Sequence, residues 1–145
     1  MKKMKKITLL SLMTIGALFS YSCSLDDVEN EKVELVYLAT DAVEVDTILP
    51  VNKNTKLKTH FTLRNEDYRF FGYRELSNRN DTIDIVLIAQ HRYINPTKPD
   101  NPKTQVETMN FIAPHSGKFV LRFWQNTDEN NQMYFIEKVI DIPQN

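Results

Sequence analysis

The strongest constraint on this chain is an apolar period of two residues. Leu57, Thr59, Phe61 and Leu63 fall on one face of an extended segment, while Lys56, Lys58, His60 and Arg64 fall on the other. Side chains alternate between faces only in a strand, so this pattern gives a half-buried strand and would scatter round a helix. The same period runs through Val43, Val45 and Thr47, through Ile83, Ile85, Leu87 and Ala89, through Phe119, Leu121 and Phe123, and through Tyr134, Ile136 and Ile140. Shorter runs over Val33 to Leu38, Tyr68 to Tyr73 and Val106 to Ile112 are rich in the branched and aromatic residues that suit a pleated surface. No window holds an apolar period of 3.6. Between the runs lie Asn52 to Asn54, Asn65 to Asp67, Ser77 to Asp81, Asn95 to Pro102 and Asn126 to Asn131, all turn formers. With only three glycines in 145 residues, Asn and Asp must supply the unusual backbone angles of the turns. Seven or eight short strands at this spacing predict an all-β fold, a single antiparallel β-sandwich.

The strand pattern begins only after a different kind of segment. Lys2, Lys3, Lys5 and Lys6 precede an apolar stretch from Ile7 to Phe19, the arrangement of a signal peptide; Thr8, Ser11, Thr14 and Gly16 interrupt it, and it falls short of a membrane span. Ser20-Tyr21-Ser22-Cys23 resembles the bacterial lipobox in the looser form found in Bacteroidota, with Ser20 where Leu is usual. The resemblance implies lipid on Cys23 and a palmitate-bearing protein at the cell outer membrane. The expected organisation is a lipoprotein signal peptide over 1–22, an acidic tether over 23–32 and a β-sandwich domain over 33–145. The tether residues Asp26, Asp27 and Glu29 resemble the surface-export signal of Bacteroidota lipoproteins, which implies exposure at the cell surface; a simple solvated tether is the alternative. Cys23 is the single cysteine, so no intramolecular disulfide forms and the core alone must hold the fold.

Two further resemblances concern the domain. Ala113-Pro114-His115-Ser116-Gly117-Lys118-Phe119 is similar to the corner before the penultimate strand of immunoglobulin-like domains, with Phe119 in place of the usual tyrosine. The run Tyr68-Arg69-Phe70-Phe71-Gly72-Tyr73-Arg74, with Asn80-Asp81-Thr82-Ile83-Asp84-Ile85, resembles the C-terminal β-sandwich of NigD-like lipoproteins. That likeness implies a fold and an envelope location and carries no activity with it.

Chemistry is sparse. Removing the four leader lysines leaves 14 basic against 19 acidic residues and no run of Lys or Arg, which speaks against nucleic acid as a partner. His60, His91 and His115 are too far apart for a ligand motif, and no nucleophile elbow, phosphate loop or HExxH occurs, so neither metal, cofactor nor catalytic residue is expected. Asp81 with Asp84, and Asp128 with Glu129, are the paired acids; solvated loops are their expected home. Asp46-Thr47-Ile48 and Asp81-Thr82-Ile83 resemble the acceptor tripeptide of Bacteroidota O-glycosylation, which makes Thr47 and Thr82 candidate acceptors; Asp-Thr turn hydrogen bonding is the alternative. Tyr68, Tyr73, Tyr93 and Trp124 flank loops or strand ends and form a candidate ligand platform, since sugar rings stack on aromatic faces; core packing is the competing account. Phe70 and Phe71 are adjacent, so one must face away from the core. The expectation is a non-enzymatic envelope lipoprotein that binds a glycan or protein partner. A structural or accessory subunit of an outer-membrane complex is the alternative.

Overall fold

In a computed structural model, described for residues 32–144, the chain is all β, with eight strands and no helix among the described residues. The lipobox, Cys23 and most of the acidic tether lie outside the described residues. The strands are β1 (Lys32–Leu38), β2 (Ala42–Val45), β3 (Asn54–Leu63), β4 (Tyr68–Arg79), β5 (Thr82–Tyr93), β6 (Lys103–Ile112), β7 (Gly117–Thr127) and β8 (Met133–Ile142). They form a three-stranded sheet in the order β2-β3-β6 and a five-stranded sheet built on β5. Along one edge of β5 lies β4. The other edge is shared end to end, β1 pairing with residues Leu87 to Tyr93 and β7 with Thr82 to Ile85; β8 closes the sheet beyond β7.

One pairing departs from the antiparallel expectation. Strand β7 runs parallel to β5, because the chain reaches it from β6 in the opposite sheet rather than by a hairpin from its neighbour. All other pairs are antiparallel.

The period of two decides which face each sheet buries. Leu57, Phe61 and Leu63 from β3, with Met109 from β6, meet Ile83, Ile85, Leu87, Phe119, Leu121, Phe123 and Ile140 from the larger sheet in one core. Each fully buried Leu, Ile or Phe contributes roughly 1.5–3 kcal/mol by leaving water, and this contact between sheets is the arrangement of a β-sandwich. Phe119, where a corner tyrosine would hydrogen-bond, lies in this core with its ring edge-on to Phe111. Strand β5 is buried on both faces over its centre: Val86 and Ile88, which point away from the core, are covered as well. That explains why its sequence is a near-continuous apolar run.

The turns bear out the reading of Asn and Asp. Asn52, Asn80, Asp81 and Asn131 all adopt positive φ, and Asn80 with Asp81 close the β4–β5 hairpin in two residues. Successive left-handed residues are what a type I′ hairpin requires, and short polar side chains tolerate them best after glycine. The hairpin is longer than the sequence implies: β4 is bulged after Phe70 and again after Glu75, and continues past Tyr73 to Arg79.

Candidate binding face

The outward side of the five-stranded sheet carries the candidate site. Residues paired across adjacent strands point to the same side of a sheet, so the register fixes the face of each. Leu35 pairs with Gln90 and Tyr37 with Ile88, and these point away from the core. Strand β4 brings Phe71 and Gly72 to the same place, the bulge after Phe70 separating inward Phe70 from outward Phe71. Leu35, Tyr37, Phe71, Gly72, Tyr73, Arg74 and Ile88 line a depression of about 360 Å³. Its walls are unusually exposed for their chemistry: Phe71 is 62 % exposed, Leu35 56 % and Tyr37 43 %. Ile88, only 7 % exposed, is covered by its neighbours. At Gly72 an added Cβ would meet nothing within 4 Å, so the space above the backbone is open.

Trp124 borders this face from β7. Its ring stands edge-on to Tyr37, centroids 5.7 Å apart, and its Nε1 donates to Thr127 Oγ1 at 3.1 Å. Farther along, the Arg122 guanidinium lies over the Phe135 ring at 4.3 Å and sits 3.2 Å from Asp84 Oδ1.

The four aromatic residues proposed from sequence as one platform are not together. Trp124 lies on the outward face beside Tyr37. Tyr68 and Tyr93 lie at one end of the sandwich, both against His91: the Tyr68 ring stacks parallel to the imidazole with centroids 4.2 Å apart, and the Tyr93 ring is tilted against it at 4.3 Å. Tyr93 donates to Glu34, and the Lys32 ammonium lies over its ring at 4.9 Å. Tyr73 points into the sandwich. Thr59 Oγ1 donates to the Glu107 carbonyl at 3.1 Å and accepts from Tyr73 Oη at 2.6 Å, so this phenol bridges the two sheets. Burial pushes the Tyr73 pKa above that of a free phenol, with the Thr59 hydrogen bond opposing.

The remaining candidates are dispersed. Thr47 is exposed beyond β2, whereas Thr82 is half-buried with both edges paired, to Arg79 and to Val120. His60 pairs with Glu44 at 3.1 Å on the outward face of the smaller sheet. His115 sits in the turn before β7, Nδ1 on the Ser116 carbonyl at 2.8 Å and Nε2 on Asp81 Oδ1 at 2.9 Å. Both partners are acceptors, so both ring nitrogens donate only in the imidazolium; the Ser116 carbonyl first, then Asp81, holds this pKa above the usual histidine value. Three of the four paired acids are engaged in structure, and Glu129 is exposed. Asp81 serves His115, and Asp84 accepts from Ser77 Oγ at 3.0 Å. Asp128 accepts from the amides of Asn130 and Gln132 and from Tyr134, with the Gln132 amide the foremost cause of its lowered pKa. Among the described residues no three His, Cys, Asp or Glu side chains gather as a metal site.

A second, larger hollow of about 540 Å³ opens between the sheets where β4 and β6 form their edges, floored by Ile83, Ile85, Met109 and Phe119. Among the described residues strand β6 pairs only with β3, in unbroken register over ten residues. Sequence reasoning missed the depression residues Leu35 and Tyr37, because Val33 to Leu38 carries apolar residues on both faces and its one charge, Glu34, stands on the face that the structure turns inward. Comparison with protein-family models, with curated proteins and with solved structures returns no match.

Proposed function

We propose that this protein is a lipoprotein of the cell outer membrane, anchored through Cys23, whose β-sandwich is a non-catalytic module binding a glycan or protein partner on the outward face of its larger sheet. The observation that carries the reading is the exposed wall of Phe71, Tyr37 and Leu35 around an open depression. Large apolar side chains leave water when they have a core to enter, so a cluster left exposed beside a formed core marks a surface that is covered in use. Tyrosine, tryptophan and arginine are also the residues that anchor interfaces most strongly. The β2-β3-β6 order and the β7–β8 hairpin support an immunoglobulin-like type of sandwich, with the parallel β5–β7 pairing as a departure from it.

Expressing the full precursor in a Bacteroidota host, with protease treatment of intact cells and affinity electrophoresis against a polysaccharide panel, tests both halves. Cys23→Ala should release the chain from the membrane fraction, and Phe71→Ala with Tyr37→Ala should abolish retardation by the polysaccharide that slows the wild type. Membrane retention of the Cys23 variant refutes the anchor, and unchanged retardation of the double variant refutes the face.

A second reading, an accessory subunit of an envelope complex, is favoured by β6. This ten-residue edge has no bulge and no proline, and it leaves Val106 and Ile112 exposed, the features of an edge open to a partner strand.

A further inference from the structure

The outward face is basic as well as aromatic, which points to the charge of its ligand. Arg69 pairs with Gln90, Arg74 with Val86, Arg79 with Thr82 and Arg92 with Val33, and every one of these positions lies on the side opposite Ile83, Ile85, Leu87 and Ala89. All four arginines are exposed. The matching outward positions of β1, of β4, and of β5 from Val86 to Arg92 hold no Asp or Glu. The acids of this face lie farther along it and stand beside bases: Asp84 faces Ser77 and Arg122, Glu137 lies 3.8 Å from Arg122, and Asp141 is in register with Lys118. A chain whose domain has more acids than bases thus collects arginines on the face where Phe71 and Tyr37 are exposed.

We propose, building on the binding face above, that the depression takes an acidic glycan, a saccharide bearing carboxylates. The apolar face of a sugar ring would lie on Phe71 and Tyr37, and a carboxylate would meet Arg74, which lines the same depression. Arg74 forms no ion pair among the described residues, so no internal contact has to break. A guanidinium presents a planar pair of donors that matches a carboxylate with two parallel hydrogen bonds, and a charge-assisted bond of this kind outweighs a neutral one. A neutral glycan would use the aromatic wall and leave the Arg74 guanidinium unanswered. An anionic membrane surface would use the charge without needing an open depression.

The test uses the full-length chain extracted in mild detergent and a panel of oligogalacturonates, heparin fragments and chondroitin fragments. Each oligogalacturonate is paired with its methyl ester, which keeps the ring and removes the charge; polyphosphate serves as a polymer with charge and no ring. At least one acidic saccharide should bind roughly tenfold or more tightly than its ester or a neutral counterpart, with affinity falling as salt rises. Arg74→Gln should bring the acid down to the level of the ester, and Phe71→Ala should weaken both. Equal binding of acid and ester, or an Arg74→Gln variant with wild-type preference, overturns the acidic-glycan assignment and leaves the binding face standing. Polyphosphate binding as tightly as the saccharides, unaffected by Phe71→Ala, overturns it in favour of bare charge. No binding by any acidic member overturns it as well; if the Phe71 and Tyr37 variants also retain the affinity of the wild type for every other partner, the binding face falls with it.

Discussion

Replacing Tyr73 by phenylalanine separates a strut from a ligand platform. The phenol gives up one hydrogen bond, to Thr59 Oγ1, while Thr59 keeps its own bond to the Glu107 carbonyl. No buried donor is orphaned, because the hydroxyl group that loses a partner is an acceptor still satisfied as a donor. The cost is then that of one ordinary hydrogen bond, about 0.5–1.5 kcal/mol, rather than the larger penalty of an unpaired buried group. The ring stays, and with it the edge contact to Phe70 at 5.3 Å between centroids. With a urea m value of about 1.5 kcal/mol per molar for a domain of this size, the midpoint should fall by roughly 0.3–1 M, read by tryptophan fluorescence. Ligand retention by the binding face should not change. A stability change indistinguishable from zero, or loss of ligand binding at unchanged stability, would refute the reasoning.

Two further outcomes follow from the same geometry. Leu121 is fully buried at the centre of β7 between the sheets, so Leu121→Ala should cost about 2–5 kcal/mol in chemical denaturation; less than 1 kcal/mol would mean that the sheets do not pack there. For His115 the folded pKa lies above the unfolded one, so its contribution is fully present below the usual histidine pKa near 6.5 and is lost as pH rises through the folded value. Stability should therefore decline with pH above about 6.5, and His115→Gln should flatten that part of the profile; a profile with the same slope in the variant would contradict the assignment.

What the sequence made legible, and what it hid, follows from how far apart the interacting residues stand. Within β3, β5 and β7 the period of two identifies both strand and buried face, since neighbours two residues apart share one environment. The same parity foretold that Phe70 and Phe71 part company, and it turns Trp124 away from Phe119, Leu121 and Phe123. Tyr73 escaped because of a bulge: strict alternation from inward Phe70 would place Tyr73 outward, and the extra residue at Phe71 reverses it. The depression itself unites Leu35, Phe71 and Ile88 from three strands whose register is set by tertiary pairing. The arginines were hidden for the same reason. Arg69, Arg74, Arg79 and Arg92 form no run in the chain, and only the folding of β4 onto β5 puts them on one face. The parallel contact of β5 with β7 joins residues nearly forty positions apart, with no local mark in either strand.

The central claim, that the outward face of the five-stranded sheet is the binding face, is tested most directly by hydroxyl-radical footprinting of the full-length chain with and without the polysaccharide that retards it most. Phe71, Tyr37 and Leu35 should oxidise readily in the free protein and be protected severalfold when the polysaccharide is bound, with Val106 and Ile112 unchanged. Protection of Val106, Met109 and Ile112 with Phe71 and Tyr37 still reactive would contradict the account and move the site to the edge of β6.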